Sequence, residues 1–352
     1  MKKSLVSIIL LNFNGLNYTL ECIKSLKKID YKNHEVIVVD NASTDNSVSV
    51  LRKIKRIKLI ESKRNLGFAG GNNLGARHAK GKYVVFLNND AFVKRKWLST
   101  LMTAMESDKK IGCVMSKIYN RYDNKDYRFD GYGTTSLIGL SASYENIPLN
   151  TKKYVKIFSP SGCALMYDKK LVKRPFDPDY FIYYEDTSLG WILRLKGYDV
   201  ITVPDSIVYH EGNAVIKNIK SMSNFFTYLG ERNRLLNLFT MYSGLTLIKL
   251  IPQMLFSILF INIYDLKRFP IRVKSYWWLL THVPVINKKR KLIQSKRKVK
   301  DKEVIKYMSY KLFDDAAVNN NFLKSVIKII NTLNLVYCKI FRIKTYEFYH
   351  KN

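Results

Sequence analysis

The stretch that most constrains the fold is YVVFLNND at residues 83–90, where an apolar run ends abruptly in two amides and a carboxylate. A short run rich in Val, Phe and Leu is typical of a strand buried on both faces. Asn88, Asn89 and Asp90 would then lie at the carboxyl end of that strand. Because ligands bind at the carboxyl ends of strands in open α/β sheets, we expect a ligand site here.

Similar apolar runs alternate with helical periodicity along the N-terminal half of the chain. We predict strands at 6–11, 35–40, 57–61, 83–87, 111–115, 161–167, 200–203 and 207–210, and helices at 17–28, 47–54, 97–106 and 187–196. This alternation predicts an α/β fold, with a Rossmann-like, mostly parallel sheet flanked by helices and joined by right-handed crossovers. Residues 119–150 are rich in Tyr, Asp, Asn, Gly and Ser, which favours loop and hairpin.

The charge of the chain points to an anionic partner. The formal net charge is +32 over 352 residues, which suits a phosphate-rich substrate, an acidic lipid or nucleic acid. The four cysteines are scattered and form no C-x-x-C pair, so neither a zinc site nor a disulfide framework is indicated. The apolar run near the N-terminus is short and strand-like, so we expect the N-terminal region to stay in the cytoplasm.

The C-terminal third has a different composition. Residues 245–263 are apolar over nearly the length of a membrane span, although a lysine, a proline and a glutamine interrupt them. Trp277 and Trp278 follow, and then the basic run 288–302. An apolar helix, a Trp pair and a polybasic run are the parts of an interfacial membrane anchor. The alternative is a helical subdomain that packs these apolar faces on the core.

Three groups of acids each follow an apolar run, namely Asp40, Asp90 and the pair Glu185–Asp186. A single acid in this position can be only a helix cap or a turn residue, but together they should converge on one sheet edge. Asp90 suits a divalent metal that also binds phosphate, because Mg²⁺ and Mn²⁺ prefer hard oxygen ligands. His210, ending a strand, could add a nitrogen ligand, which Mn²⁺ accepts better than Mg²⁺, or could be only a hydrogen-bonded histidine.

The Glu185–Asp186 pair begins a predicted helix. A hydroxyl nucleophile loses its proton as it attacks, and a carboxylate at hydrogen-bond distance can accept that proton. A helix N-terminus favours the ionised carboxylate that this role requires. The alternative is that Asp186 only caps the helix.

The glycine-rich segment GFAGGNNLG at 67–75 has some likeness to a dinucleotide fingerprint. That fingerprint belongs to the first strand-to-helix turn, which here is NFNG at 12–15. The glycines more readily allow the backbone to pack closely against a nucleotide or the sheet.

Several segments in this order and spacing resemble family 2 glycosyltransferases of the GT-A fold, in the rhamnosyltransferase-like branch. They are VSIILLNFNG, VIVVDNASTDNS, NLGFAGGNNLGARHAKGKYVVFLNND, SGCALM, YYEDTSLGWILRLKGY and VYHEGN, and the likeness covers about residues 4–240. RNRLLN at 232–237, with the apolar helix and basic tail after it, resembles membrane-associated members. The resemblance implies a glycosyltransferase domain at 1–240 and a helical, basic, membrane-associating region at 241–352.

The resemblance also implies a nucleoside-diphosphate sugar donor. The implied donor-binding residues are Phe13, Asn14, Asp40, Asn73, Asn88, Asn89, Asp90 and Arg232, with Arg234 as an alternative to Arg232 for neutralising phosphate. Asp40 would contact the base or ribose, and Asn88–Asn89–Asp90 occupies the place of the family's Asp-x-Asp motif. Because Asn88 replaces the first acid of that motif, binding of Mn²⁺ or Mg²⁺ would depend on Asp90 and His210.

The implied reaction is an inverting single displacement by a hydroxyl of a glycan or a lipid-linked acceptor. Asp186 matches the general base, with Glu185 beside it. The expected location is the cytoplasmic face of the cell membrane, where the protein would meet an anionic lipid surface. It would be attached peripherally, monotopically or by one span.

Alternative functions share parts of this pattern. A polyprenyl-phosphate sugar synthase would share this fold. A nicotinamide-dependent oxidoreductase needs a glycine-rich first turn, which the sequence lacks. A nucleic-acid-binding protein would interleave basic and aromatic residues, whereas the densest basic run here follows an apolar segment and a Trp pair, which favours lipid. A non-catalytic relative of the family is the remaining alternative.

Overall fold

The computed structural model describes residues 3–121, 133–143, 151, 153–212, 223–315 and 318–350. The strands are β1 (Val6–Asn12), β2 (His34–Asp40), β3 (Lys58–Glu61), β4 (Tyr83–Asn88), β5 (Ala91–Val93), β6 (Ile111–Asn120), β7 (Gly133–Thr135), β8 (Ser141–Ser143), β9 (Val155–Lys156), β10 (Ala164–Asp168) and β11 (Asp199–His210). The helices are α1 (Leu16–Leu26), α2 (Ser47–Leu51), α3 (Gly67–His78), α4 (Trp97–Ser107), α5 (Glu185–Leu195), α6 (Ser223–Met241), α7 (Gly244–Tyr264), α8 (Phe269–Thr281), α9 (Val283–Gln294), α10 (Asp301–Ile305), α11 (Asn321–Ile340) and α12 (Tyr346–Tyr349).

Nine strands form one sheet in the order β3-β2-β1-β4-β10-β6-β11-β5, with β9 also paired to β11. Six of them run in one direction, whereas β10, β5 and β9 run against their neighbours. The predicted α/β class with a mostly parallel sheet is therefore confirmed. β7 and β8 form a separate antiparallel pair inside the predicted hairpin region. Residues 122–132 and 144–150 of that region lie outside the described residues.

The register of the central strands aligns their polar carboxyl ends. Ile8, Ile9 and Leu10 of β1 are fully buried, as expected for a strand with helices on both faces. At the end of β1, Asn12 pairs with Asp40 of β2, and the preceding residue pairs with Asn88 of β4. Polar side chains from three strands therefore meet at one edge of the sheet.

The glycine-rich segment forms helix α3, which packs on β1. A Cβ atom on Gly71 would lie 2.3 Å from Cδ1 of Leu11, and one on Gly75 would lie 2.5 Å from Cγ2 of Ile9. These glycines let the helix approach the sheet closely, which confirms the predicted close packing.

The two strands predicted at 200–203 and 207–210 are one strand, β11, and this corrects the sequence prediction. Its pairing with β6 changes register between Val203 and Ile207. The residues between them form a bulge-like irregularity, and the strand continues on both sides of it. Within it, Ser206 is buried and its Oγ donates to the Trp97 carbonyl at 3.0 Å. The continuous strand extends to His210, which pairs with Ala91 of β5 and so lies next to Asp90.

The C-terminal helices pack partly on the sheet domain and partly on each other. α6 contacts α5, α8 and α9. The most apolar stretch of α7 has a mean hydropathy of 1.9, so the helix is long and apolar enough to cross a membrane, yet only 22% of that stretch is buried. This exposure argues against the alternative in which the helix packs its apolar faces on the core.

Candidate active site

A chain of hydrogen bonds joins the polar ends of β1, β2 and β4. Asn12 is fully buried, and its Nδ2 donates to Oδ2 of Asp40 at 2.8 Å. Thr19 donates to Oδ1 of Asn12 at 2.7 Å and accepts from Nδ2 of Asn89 at 3.0 Å. Asn12 and Thr19 were not among the predicted site residues. The signal that could have found Asn12 is a polar residue directly after an apolar strand.

The loops after β1 and β2 hold each other at this edge. Asn14 has φ +50°, a left-handed conformation that asparagine tolerates better than most residues. Its Oδ1 accepts from the backbone N–H of Thr44 at 2.7 Å. Ser43 donates its backbone N–H to Asp40 Oδ1 at 2.9 Å, and its hydroxyl accepts from the Asn14 N–H at 2.9 Å. Phe13 is half-buried beside them, so three predicted nucleotide-binding residues lie on adjoining strand ends.

Asp90 and His210 lie together at the next strand end. Asp90 is buried, and its Oδ1 is 3.1 Å from Nε2 of His210. The side-chain nitrogen of Asn88 is 3.2 Å from the same imidazole nitrogen. Burial opposes the charged imidazole, but Cys163 and the Asp90 carboxylate favour it more strongly, so the pKa of His210 is raised.

This pair fits part of a divalent metal site. A carboxylate oxygen and an imidazole nitrogen that meet at 3.1 Å are donors that Mn²⁺ accepts. The described residues contain no group of three or more His, Cys, Asp or Glu side chains that could hold a metal ion. Two protein ligands suit a site in which phosphate oxygens and water supply the others.

Asp186 lies in the first turn of α5, and the segment Gly162–Cys163 connects it to the strand end. Its Oδ2 accepts from the Gly162 N–H at 2.8 Å, and its Oδ1 accepts from the Thr187 N–H at 2.6 Å. The carbonyl of Cys163 accepts from the backbone N–H of Asn88 at 2.8 Å. The two N–H donors and the helix N-terminus all favour an ionised Asp186 carboxylate.

Glu185 has a different environment from its neighbour. It is buried, and burial, reinforced by the Asp186 charge, raises the pKa of its carboxyl well above the ordinary value. Its Oε2 has no hydrogen-bond partner among the described residues. A carboxyl group that keeps its own proton cannot accept one from a nucleophile, which favours Asp186 as the base.

The loop that leads into α5 is conformationally strained. Phe181, Tyr183 and Tyr184 have φ values of +60°, +72° and +68°, which are rare for bulky residues. Strain of this kind persists where surrounding structure enforces it, and it is common at functional sites.

Two asparagines of α6 hold this loop. Asn233 is fully buried, and its Nδ2 lies within hydrogen-bond distance of three loop carbonyl oxygens, those of Tyr180 (2.9 Å), Ile182 (3.0 Å) and Tyr183 (2.9 Å). Asn237, one turn later, accepts from the Tyr180 hydroxyl at 2.7 Å and donates to the Tyr184 carbonyl at 3.2 Å. Neither residue was among the predicted site residues, although two amides four residues apart on one helix are a recognisable signal.

Three predicted donor-binding residues make their hydrogen bonds elsewhere in the protein. Arg232 donates to the Asp179 carbonyl and to Asn233 Oδ1, and Arg234 forms a buried ion pair of 2.7 Å with Glu231. Asn73 donates to and accepts from the backbone of Phe176, at 2.7 and 3.2 Å. These bonds do not join the strand-end network, and the donor-binding roles of the three residues stay predictions.

Comparison with known proteins gives the family. Residues 7–175 match the model of glycosyl transferase family 2. An uncharacterized glycosyltransferase of Haemophilus influenzae is 37% identical over 247 residues, which cover 64% of this chain and 75% of the relative. Glycosyltransferase GlyG of Streptococcus pneumoniae is 31% identical over 134 residues, covering 37% of this chain and 44% of the relative.

A further relative has a more specific name. The UDP-Glc:alpha-D-GlcNAc-diphosphoundecaprenol beta-1,3-glucosyltransferase WfaP of Escherichia coli is 33% identical over 129 residues, 36% of this chain and 50% of the relative. This chain therefore aligns with about half the length of the Streptococcus and Escherichia relatives.

Two solved structures share the fold of this chain. GalNAc-T7, crystallised with UDP, GalNAc and Mn²⁺, has a TM-score of 0.55 at 15% identity, covering 69% of this chain and 49% of that one. Residues 1–349 of S. aureus TarS have a TM-score of 0.53 at 16% identity, covering 94% and 88%. The rhamnosyltransferase-like branch stays a prediction. The chain belongs to glycosyl transferase family 2 and has the GT-A fold.

Proposed function

We propose that this protein transfers a sugar from a nucleoside-diphosphate sugar to a hydroxyl group of a glycan or lipid-linked acceptor, by an inverting single displacement. The observation that carries the proposal is the pair of hydrogen bonds made by the segment Gly162–Cys163. The segment donates to the Asp186 carboxylate and accepts from the backbone of Asn88, so it links a candidate base to the strand end that carries Asp90. The name of the Escherichia relative includes a UDP-Glc donor, and one TarS structure contains UDP. Both support a nucleotide-linked sugar as the donor.

The nucleotide would bind at the ends of β1 and β2. Phe13 offers an apolar side chain, and Asp40, held by Asn12 and Ser43, offers a carboxylate for the base or ribose. Asn88 ends β4 and Asn89 follows it, and the diphosphate would lie there. The hydrogen-bond chain through Asn12 and Thr19 would keep these groups in a fixed arrangement before the donor binds.

Mn²⁺ or Mg²⁺ would be held by Asp90 and His210, whose donor atoms fit such an ion. Its chemistry is to neutralise charge that develops on the diphosphate leaving group. His210 would bind the ion as the neutral imidazole, so we expect metal affinity to rise with pH.

Asp186 would act as the general base. Its carboxylate is held by the Gly162 and Thr187 N–H groups, and the proton of the acceptor hydroxyl would pass to it as the new bond forms on the face opposite the leaving group. Glu185 would remain protonated beside it.

We also propose that the protein works on the cytoplasmic face of the cell membrane. α7 turns polar residues towards its neighbours, since Gln253 donates to Asn334 of α11 at 2.6 Å and Asn262 donates to Tyr276 of α8 at 2.9 Å. The exposed apolar side chains are Leu245, Ile248, Leu255, Leu259 and Ile263 of α7, Trp277 and Leu280 of α8, and Phe322, Ile329, Leu333 and Ile340 of α11. Polar groups inside and apolar groups outside are typical of helices that contact lipid.

A donor panel tests the proposal. Purified protein would be heated with UDP-, GDP- and dTDP-sugars, with and without Mn²⁺, and nucleotide release would be followed in parallel. We expect one nucleotide class to raise the melting temperature in a Mn²⁺-dependent manner, because ligands that bind only the folded state stabilise it. Asp90→Asn should weaken this shift. Stabilisation by none of the donors, or an unchanged shift in Asp90→Asn, would contradict the proposal.

A further inference from the structure

A cavity lies outside the strand-end site. Its volume is about 530 Å³, and it is bounded by α5, by α9 and by the segment 170–178 that follows β10. Its walls include Ile192 of α5 and Ile293 of α9, so much of its interior is apolar. No residue assigned above to donor, metal or proton transfer lines it.

The cavity carries a marked excess of positive charge. Its cationic lining residues are Lys170, Lys173, Arg174, Lys196, Lys289 and Lys296, and Asp177 is the one acid among its described lining residues. Lys289 is neutralised by ion pairs with Asp177 and, at 2.7 Å, with Asp179. In the part of the chain that the structure describes, the other five cations form no ion pair.

Lys196 is the most enclosed of these five cations. It is half-buried, and its ammonium group donates to the Leu171 carbonyl rather than to a carboxylate. Burial, and then the positive charges of Lys296 and Lys298, lower the pKa of Lys196. Several lysines around an apolar cavity repel one another unless an anion binds among them.

One apolar residue that lines the cavity is also exposed on a C-terminal helix. Leu292 of α9 lines the cavity and is at the same time 58% exposed. Val283 and Val285 of the same helix are exposed, and α9 follows Trp277 and Leu280 of α8. A ligand entering from a membrane would therefore meet apolar side chains and cations together.

We propose that this cavity binds the phosphate headgroup of an anionic phospholipid, with the adjoining acyl segment along its apolar wall. The cations match the phosphate, and the isoleucine and leucine side chains match the hydrocarbon. The inference deepens the proposed membrane location and rests on it. It does not depend on which sugar or nucleotide the enzyme uses.

The experiment measures binding of short-chain lipid to the full chain by calorimetry, below the micelle-forming concentration. The probes are dihexanoyl phosphatidylglycerol, dihexanoyl phosphatidylcholine and inorganic phosphate. We expect phosphatidylglycerol to bind at least about tenfold more tightly than either of the others, since it alone offers both net charge and hydrocarbon. Equal binding of inorganic phosphate would indicate a simple anion site and would overturn the lipid assignment.

Two variants locate the binding. Lys173→Glu with Lys296→Glu should weaken phosphatidylglycerol binding by about tenfold or more, and Ile293→Trp, which fills the cavity, should do the same without changing charge. The matched control is Lys53→Glu with Lys55→Glu, which makes the same charge change on exposed residues beyond α2 and should leave binding within about twofold.

The results of these measurements distinguish a failure of the lipid-site proposal from a failure of the proposed sugar transfer. If the control variant weakens binding as much as the cavity variants, or if Ile293→Trp binds normally, the cavity is not the lipid site. Melting temperatures close to wild type would show that the variants fold. Nucleotide release from donor, measured in the same samples, reports the proposed transfer reaction independently of lipid binding.

Discussion

Glu185 and Asp186 are adjacent in the sequence, but their carboxyl groups have opposite surroundings. Asp186 receives backbone N–H donors from Gly162 and Thr187, whereas the Glu185 carboxyl is buried with an unpartnered oxygen. Adjacent residues on a helix point in different directions, so a helix start can direct one acid towards a ligand and the other into the core. The residue pattern identified the pair and the family resemblance assigned the base to Asp186, but the different surroundings of the two carboxyl groups depend on where Gly162 lies.

The buried Glu185 should make stability depend on pH in a defined direction. Its pKa is raised in the folded state, so the folded protein binds a proton that the unfolded chain releases above the ordinary value of 4.5. Stability should therefore fall as pH rises above that value. The side chain introduced by Glu185→Gln does not titrate, so the variant lacks this loss of stability. The melting temperature of the variant minus that of the wild type should therefore increase from pH 5 to pH 8. A difference that stays constant over this range would contradict a protonated Glu185.

At the scale of elements, the strained loop and α6 act together. Asn233→Ala would remove the amide from three loop carbonyls and should cost roughly 1–3 kcal/mol of unfolding free energy. Because the loop fixes the start of α5, we expect kcat to fall by at least about tenfold while the donor Kd changes little. Thr227→Ala is the control, because the Thr227 hydroxyl donates to the Ser223 carbonyl of the same helix, and it should change neither kcat nor the donor Kd. Equal loss of kcat and donor binding would indicate general misfolding instead.

Helix α3 gives a test of close packing. Alanine favours a helix over glycine by about 1 kcal/mol, but a Cβ on Gly71 would lie 2.3 Å from Leu11. Gly71→Ala should therefore lower the unfolding free energy by about 1–3 kcal/mol in urea titration. Gly230→Ala in α6 is the matched control, because nothing lies within 4 Å of its added Cβ, and it should be neutral or stabilising. Equal stability of the two variants would show that the α3–β1 contact is not tight.

The elements differ in how well the sequence predicted them. β1, β2 and β4 were predicted because their buried runs are continuous and end in polar residues. Helix α3 was not, because glycine and asparagine disfavour helices and only packing on Ile9 and Leu11 compensates. The Asn233 contacts were equally unpredictable, since they join residues about fifty positions apart in sequence. His210 was predicted at a strand end and, from the family resemblance, together with Asp90, and the β5–β11 pairing is what brings the two residues into contact.

At the scale of the whole molecule, the net charge of +32 and the exposed apolar helices point to the same partner. The protein should sediment with vesicles that contain phosphatidylglycerol and bind less as salt increases. Leu255→Glu with Leu259→Glu should weaken this binding by about a hundredfold, since each buried leucine contributes about 1.5 kcal/mol or more. Ser49→Glu with Thr103→Glu adds the same charge at exposed polar positions far from α7 in sequence and should have a small effect. If both pairs behave alike, the apolar face does not contact lipid.

The transfer reaction is the central claim, and the most direct measurement compares wild type with Asp186→Asn on the donor that the panel identifies. Sugar transfer and nucleotide release would be followed with Mn²⁺ present, and donor affinity would be measured separately. We predict that Asp186→Asn lowers kcat by about 10²–10⁴-fold and leaves the donor Kd nearly unchanged, because only proton removal from the acceptor is lost. Full transfer activity in Asp186→Asn would contradict the assignment of the base and with it the proposed mechanism.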